Sequence, residues 1–174
     1  MGRVHVPDGY RAEIIQGELV VAPGPSVDHT RAQGRLIVML AGAVPPGSEP
    51  VPEPEWRLAH GGIVAAAPRP AVAVVPFGSS GRALTVAPLL AIEVLLPTDF
   101  RRIATGQTHR EGKLADYAAN GLVDFVEIDL TVVPTVVIRY ELHGIQLAEV
   151  ERASGHETIE AIRPFPYRIR PIDL

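Results

Sequence analysis

Residues Leu89 to Leu96 read LLAIEVLL, an apolar run that contains a single carboxylate. Side chains along a β-strand alternate between the two faces of a sheet, so Leu90, Ile92 and Val94 share one face and Glu93 lies on the other. A strand that is apolar on both faces is typical of the interior of a sheet covered on both sides. The run therefore predicts a buried central strand that carries Glu93 into the protein.

The carboxylate of Glu93 needs a partner in such a strand. Burying an ionised carboxylate without one costs several kcal/mol or forces the group to take up a proton. We therefore expect Glu93 to meet a metal ion, a cation or hydrogen-bond donors. The alternative is a glutamate on an edge strand that reaches water, but perturbed carboxylates cluster at functional sites, which favours a site.

Two helices and a second apolar strand surround this run in the sequence. Ser26 is predicted to cap a first helix. Thr108 and Glu111 form a capping box for a second helix, and Gly121 stands where a left-handed residue would end it. The second apolar strand is predicted over Ala71 to Val75. Two helices around central strands predict a mixed sheet flanked by helices.

Shorter strands and turns complete the expected fold. Strands are predicted over residues 10–15, 19–22, 123–130, 135–141, 145–150 and 167–172, with turns at Gln16-Gly17-Glu18, Gly61-Gly62 and His143-Gly144. No internal repeat or domain boundary interrupts this order. The sequence therefore predicts one α/β (α+β) domain over residues 1–174, a mixed β-sheet flanked by two helices with extra β-hairpins.

Composition narrows the functions that this domain can have. The chain has 174 residues, a net charge of -4 and no cysteine, which excludes thiolate chemistry and argues against indiscriminate coating of nucleic acid. Glycine-rich phosphate loops, nucleophile elbows and zinc-protease helix motifs are missing from the sequence. No apolar run approaches the ~20 residues that span a bilayer, so we expect a cytoplasmic protein without membrane contact.

Lys113 stands out because the chain has 15 arginines and this one lysine. Lysine is a compact ammonium whose pKa the protein can tune, whereas arginine is a fixed cation, so chemistry is one reason to keep it. On the second helix, His109, Lys113 and Tyr117 are spaced to share one face that could look onto Glu93. The alternative is a solvated lysine, the common state of lysine side chains.

Glu18 and His29 are weaker candidates. Glu18 follows a predicted turn and His29 lies in the first turn of the first helix, so a solvated residue and a partial cap are the favoured interpretations. Three arginines near the start of the second helix could meet phosphates, although ordinary solvation explains them equally well: Arg101, Arg102 and Arg110.

The order and spacing of several short motifs resemble a known family. The chain resembles the Uma-type putative restriction endonuclease family of the PD-(D/E)XK nuclease superfamily over about residues 10 to 174. The motifs that carry the resemblance are Gly17-Glu18-Leu19-Val20-Val21, Pro25-Ser26 with His29, Pro70, Ile92-Glu93-Val94, Pro97-Thr98, Lys113, Tyr117, Gly121, Asp129 and Phe165-Pro166. Together they imply a restriction-endonuclease-like fold.

The resemblance also implies a site. In the family, neighbouring strands hold an aspartate and a glutamate around a divalent cation, Mg²⁺ or Mn²⁺, and a lysine helps the attacking water. Glu93 matches the metal-binding carboxylate and Lys113 the lysine, while Glu18 and His29 match accessory positions. Ala71 stands after Pro70 where the family has the aspartate, so the pattern is broken there.

The break at Ala71 leaves different functions open. The first is a metal-dependent DNA endonuclease with a degenerate site, in which Asp99 or Glu18 would have to reach the vacated position. The second is a nuclease-fold protein that no longer cuts and binds nucleic acid or a protein, and the third is a purely structural homologue. The partners considered are DNA and a second copy of the chain in a homodimer. Two further departures from the family are His109, where an acidic residue is common, and Phe125-Val126, where an aromatic pair is usual.

Overall fold

A computed structural model describes residues 5–60 and 63–174 as a mixed α+β fold. The described ranges contain α1 (Val27–Ala41) and α2 (His109–Ala119). The strands are β1 (Tyr10–Ile15), β2 (Glu18–Pro23), β3 (Ser48–Pro52), β4 (Leu58–His60), β5 (Ile63–Ala66), β6 (Val72–Pro76), β7 (Leu90–Leu95), β8 (Asp124–Asp129), β9 (Val136–His143), β10 (Gln146–Ser154), β11 (Ile159–Ala161) and β12 (Tyr167–Ile169). Short 3-10 helices cover Pro97–Phe100 and Pro171–Asp173.

Six of the strands form one mixed sheet in the order β10-β9-β8-β7-β6-β3. β7 and β8 are parallel, and the other neighbours are antiparallel. The run that contains Glu93 is therefore an interior strand, as its two apolar faces predicted. The alternative of an edge-strand glutamate is wrong, because β6 and β8 cover both edges of β7.

The two faces of β7 meet different layers. Leu90 and Ile92 are fully buried in a cluster with Leu36 of α1 and Ile159 of β11. Ala91 points the other way, into a cluster that contains Tyr117 of α2. Glu93 has the same parity as Ala91 and so faces the α2 side. This alternation brings the carboxylate and the second helix together.

Both helix starts agree with the sequence prediction. The Ser26 side chain accepts a hydrogen bond from the His29 amide and caps α1. Thr108 and Glu111 form the predicted capping box of α2. Gly121 follows the C-cap of α2 with a φ of 79°, the left-handed conformation that glycine adopts without a steric penalty.

The β1–β2 hairpin lies against α2 through an unusually close contact. A Cβ atom at Gly112 would lie 2.7 Å from Cγ2 of Ile15, so only glycine lets β1 approach the helix this closely. Asp116 then holds the hairpin turn, because its carboxylate accepts hydrogen bonds from the backbone and side-chain nitrogens of Gln16. These contacts bring β1 beside the residues of α2.

Several local predictions need correction. The turn of the first hairpin is Gln16-Gly17, both with positive φ, and Glu18 already belongs to β2. The last predicted strand ends at Ile169, because the chain turns into a 3-10 helix at Pro171. β11 was not predicted, since three residues with a central glutamate give too short a pattern. The expected Gly61-Gly62 turn lies outside the described residues.

Within residues 5–60 and 63–174, no helix combines the length and the apolar composition needed to cross a bilayer.

Candidate active site

Four buried charged residues converge on the α2 face of the sheet. The Nζ atom of Lys113 lies 3.2 Å from Oε1 of Glu93, 3.3 Å from Oε2 of Glu13 and 3.8 Å from Oδ1 of Asp99. All four side chains are buried. We call these residues the Lys113 cluster. Its three carboxylates outnumber its one ammonium, so the cluster carries an excess of negative charge when all its groups are ionised.

Each member of the Lys113 cluster comes from a different element. Glu93 projects from β7, and Lys113 from the middle of α2. Glu13 lies on the inward face of β1, which it shares with Ile15. Asp99 belongs to the 3-10 helix that follows β7, where its Oδ2 accepts a hydrogen bond from the Leu96 amide at 2.7 Å. That bond leaves Oδ1 as the Asp99 oxygen nearest to Lys113.

Glu93 is held by donors and carries a perturbed pKa. The Tyr117 hydroxyl donates a hydrogen bond of 2.7 Å to Oε1 of Glu93. Burial raises the pKa of Glu93 to about 7, and the carboxylates of Glu13 and Asp99 add to the rise while Lys113 opposes it. Near neutral pH this carboxyl is therefore poised between its two protonation states.

Lys113 and Glu13 stabilise each other in their charged forms. Burial alone would lower the pKa of Lys113, but the carboxylates of Glu13, Glu93 and Asp99 raise it overall. Burial likewise opposes ionisation of Glu13, yet Lys113 and Arg11 lower the pKa of Glu13 overall. The Arg69 amide also donates to Oε1 of Glu13 at 2.7 Å. Its carboxylate neighbours thus favour the charged form of Lys113, which suits a role as a cation better than one as a neutral base.

Ala71 lies in a buried position just before β6. The antiparallel register of β6 and β7 ends at Val72 and Ile92, and Ala71 packs in the cluster that contains Leu36 of α1, whereas Glu93 faces α2. The Ala71 side chain is buried, and its carbonyl accepts a hydrogen bond of 2.7 Å from Nε2 of Gln33 on α1. The family resemblance predicts an aspartate at this position, where the chain supplies no carboxylate.

His29 lies buried on the inward face of α1. Neither Nδ1 nor Nε2 has a hydrogen-bond partner among the residues that the structure describes. Burial lowers the pKa of His29 to about 4, with Arg11 and Lys113 acting in the same direction and Asp99 opposing them. His29 is therefore a neutral, buried imidazole on α1.

Glu18 is placed differently from the other sequence candidates. Its Oε2 accepts a hydrogen bond of 2.6 Å from the Ala104 amide, in the loop before α2. Of the two acids considered for the vacated position, Asp99 approaches Lys113 and Glu18 orders the neighbouring loop. Arg101 and Arg102 are exposed near the start of α2.

The sequence analysis missed Glu13. The signal was present, because Glu13 shares the buried face of β1 with Ile15, and a carboxylate on an apolar face is the argument that identified Glu93. In a six-residue hairpin strand whose same face also carries Arg11, this signal is weak. Docking of the hairpin on α2 is what turns Glu13 into a partner of Lys113.

The donor types of the Lys113 cluster fit a hard divalent cation, for which carboxylate oxygens are the preferred ligands. Three such groups already converge on one positive charge. As arranged around the ammonium, however, no three acidic or histidine side chains in the described part of the chain form a ready metal site.

The chain is similar to a known protein in its fold and to a known family in its sequence. The fold is similar to the crystal structure of a putative nuclease of DUF820 from Anabaena variabilis ATCC 29413, with a TM-score of 0.65 and 18% sequence identity, covering 93% of this chain and 88% of that one. No curated protein sequence matches the chain. The model of the Uma2 family, described as "Putative restriction endonuclease", matches residues 3–170. The chain therefore belongs to the Uma2 family of putative restriction endonucleases.

Proposed function

We propose that this protein is a DNA phosphodiesterase that depends on a divalent cation and uses the Lys113 cluster as its active site. The observation that carries the proposal is the convergence of three buried carboxylates, from three separate elements, on one ammonium. Burying that many charges is costly unless they serve a site, because well-packed apolar side chains would stabilise the fold at least as well. Membership of a family described as "Putative restriction endonuclease" supports the reaction class.

Glu93, Asp99 and Glu13 would hold the cation, Mg²⁺ or Mn²⁺. When bound there, the cation would polarise the scissile phosphate and supply hydroxide near neutral pH. Asp99 would provide the carboxylate that Ala71 does not. Glu18 would stay outside this set, because its carboxylate holds the Ala104 amide and orders the loop that leads into α2.

The remaining residues of the site would act through charge and hydrogen bonds. Lys113 would orient the attacking water and stabilise negative charge on the phosphate, since its neighbours keep it protonated. Tyr117 would fix the Glu93 carboxylate through its hydroxyl. His29 is neutral and has a free ring nitrogen, so it could accept a proton from the water that Lys113 orients.

A second function is favoured by a different observation. Ala71 supplies no carboxylate where the family resemblance predicts an aspartate, and the members of the Lys113 cluster are all buried. A site that lacks one carboxylate and is buried from solvent fits a nuclease-fold protein that binds nucleic acid or a protein without cutting. In that case the Lys113 cluster would be a structural ion network that holds β1, β7 and α2 together.

Glu93→Gln separates the two functions, because it keeps the shape of the side chain and removes its charge. Metal binding would be followed by calorimetry with Mn²⁺, and cleavage on supercoiled plasmid. The nuclease proposal expects metal-dependent cleavage by the wild type and loss of both signals in Glu93→Gln, with Glu160→Gln, an exposed change on β11, unaffected. If the wild type neither binds Mn²⁺ nor cleaves while remaining folded, the binding function takes its place.

A further inference from the structure

A second buried charged group lies next to the Lys113 cluster and has no part in the function proposed above. The parallel register of β7 and β8 pairs Glu93 with Glu127, so the two carboxylates leave the same face of neighbouring strands. Glu127 is buried. Burial raises its pKa, and the Asp99 carboxylate is close enough to add to that rise. Glu127 is thus an immediate neighbour of the candidate site.

Arg110, in the first turn of α2, neutralises Glu127. Its Nε and Nη2 atoms donate to Oε2 of Glu127 at 3.0 and 2.6 Å. Nη2 also donates to the Tyr140 hydroxyl at 2.6 Å, and that hydroxyl donates to Oε2 of Glu127 at 2.7 Å. The guanidinium is therefore fixed by two partners that contact each other.

The contacts of Arg110 leave part of its guanidinium free. A guanidinium has five N–H donors, and the bonds to Glu127 and Tyr140 use the one on Nε and the two on Nη2. Within residues 5–60 and 63–174, Nη1 donates no hydrogen bond to the protein. The Arg110 side chain is 27% exposed, in contrast to 2% for Glu127. A guanidinium that is held in place, is partly exposed and has unused N–H donors is a suitable anion-binding group.

A polyanionic substrate needs such a cation here. Glu13, Glu93, Asp99 and Glu127 bring four carboxylates to one region of the α2 face, whereas Lys113, Arg110 and Arg11 bring three cations. Lys113 is buried among its carboxylates, and Arg11 is paired with Glu53 and 14% exposed, so Arg110 is the most exposed cation of this group. An approaching phosphate would meet Arg110 before it met Lys113.

We propose that Arg110 binds a backbone phosphate of the DNA substrate through Nη1, and that Glu127 and Tyr140 position it for this contact. The inference rests on the proposed function in that the ligand is a phosphodiester chain. It does not require cleavage. Arg110 is the group that touches the substrate, and Glu127 and Tyr140 act through it.

The test measures DNA affinity by fluorescence anisotropy with a labelled duplex and no divalent cation, over a series of salt concentrations. Removing Arg110 alone would leave Glu127 buried without a partner, so the variant is Arg110→Met/Glu127→Gln, which keeps the net charge. Its matched control is Arg168→Met/Glu160→Gln, the exposed pair that joins β12 and β11 on the α1 side of the sheet. Thermal melts check that both variants are folded.

We expect Arg110→Met/Glu127→Gln to bind DNA roughly tenfold more weakly, the value of about one charge-assisted hydrogen bond. The slope of log affinity against log salt concentration should be smaller in magnitude by about 0.9, which corresponds to the loss of one phosphate contact. Tyr140→Phe should weaken binding by less, since Glu127 still holds the guanidinium. The control pair should leave both affinity and slope unchanged.

If folded Arg110→Met/Glu127→Gln keeps the DNA affinity and the salt slope of the wild type, the ion pair is structural only. The inference is also overturned if the wild type does not bind DNA at low salt. The nuclease proposal is tested separately, because it fails or holds on Mn²⁺ binding and plasmid cleavage by the wild type and Glu93→Gln, not on DNA affinity. A protein that loses phosphate contacts in the Arg110 variant but never cuts would keep this inference and support the binding function.

Discussion

Lys113 on α2 and Glu93 on β7 form a buried ion pair of 3.2 Å, and the Tyr117 hydroxyl, one helical turn after Lys113, donates to the same carboxylate oxygen. Helical spacing alone placed Lys113 and Tyr117 on one face, and the parity of β7 decided that Glu93 would meet that face. Because Lys113 and Tyr117 both contact this oxygen, the pKa of Glu93 reports on the arrangement of the site.

Glu93→Gln should flatten the pH dependence of stability between about pH 4.5 and 7. The pKa of Glu93 is raised from 4.5 to about 7 in the folded protein. Between these values the folded state keeps a proton that the unfolded state has released, so the Glu93 contribution to the free energy of unfolding is lost as the pH rises. Urea titrations at a series of pH values would measure this slope.

The difference between wild type and Glu93→Gln isolates this residue from the other titrating groups, and Glu160→Gln is the exposed control. An unchanged slope in Glu93→Gln would mean that the carboxyl titrates as it does in water, which its burial contradicts. NMR titration of the Glu93 carboxyl provides the same value directly.

Ala71→Asp should raise the affinity for Mg²⁺ or Mn²⁺ and create or increase metal-dependent DNA cleavage. The new carboxylate would lie one residue before Val72, which pairs with Ile92, the chain neighbour of Glu93. Its charge would destabilise the metal-free protein, since Glu93 is already hard to ionise, and a divalent cation would offset that repulsion. Calorimetry and plasmid cleavage measure the two effects.

The control for Ala71→Asp is Ala71→Asp/Glu93→Ala, which must lose both gains. Asp99→Asn tests the substitute carboxylate in the same assays: we expect it to weaken metal binding in the wild type and to be compensated by Ala71→Asp. Efficient Mn²⁺-dependent cleavage by the wild type that is indifferent to Asp99→Asn would show that Asp99 does not replace the missing aspartate.

Gly112→Ala should destabilise the protein by about 1–3 kcal/mol, the range for overpacking of a filled interior. The added Cβ would lie 2.7 Å from Cγ2 of Ile15 and 3.1 Å from Cδ1 of Ile103. Relieving that contact pushes β1 away from α2 and lengthens the distance between Glu13 and Lys113. Differential scanning calorimetry would measure the loss.

Gly34→Ala is the matched control for Gly112→Ala, because Gly34 is also helical but an added Cβ atom there would meet nothing within 4 Å. At this position alanine should stabilise the protein by about 0.5–1 kcal/mol through its better helix propensity. Equal effects of the two substitutions would mean that β1 does not depend on the close approach at Gly112.

His29→Gln should reduce the loss of stability at acid pH. The pKa of His29 is lowered from 6.5 to about 4. As the pH falls through this window the unfolded state takes up a proton that the folded state refuses, so the His29 contribution to stability is lost. Arg11, Lys113 and Asp99 are the charged groups that act on the imidazole, and Asp99 opposes the other two.

Chemical denaturation between pH 7 and pH 4 would measure this effect, with the exposed His143→Gln as the control. If His29→Gln follows the wild type at every pH, the imidazole must become protonated in the folded protein as easily as in the unfolded one. A shift of the His29 ring signals near pH 6.5 would report the same result.

Local patterns in the sequence were enough to predict the start of α2 at Thr108, the interior strand that carries Glu93, and the mixed sheet between two helices. Each depends on residues close together in the chain, so spacing and capping chemistry determine it. The pairing of β7 with β8, and hence the position of Glu127 beside Glu93, follows from the sheet order and not from either strand alone.

Tertiary structure alone decided that Glu13 would join Glu93 beside Lys113. Glu13 reaches it because the β1–β2 hairpin docks on α2 through Gly112 and through the hydrogen bonds from Gln16 to Asp116. Such contacts join segments far apart in the chain, and neither alternation nor helical periodicity carries information about them. The sequence by itself determined that a buried carboxylate would need a metal ion, a cation or hydrogen-bond donors and pointed to the face of Lys113, and the packing of distant elements brought Lys113 and the Tyr117 hydroxyl to Glu93.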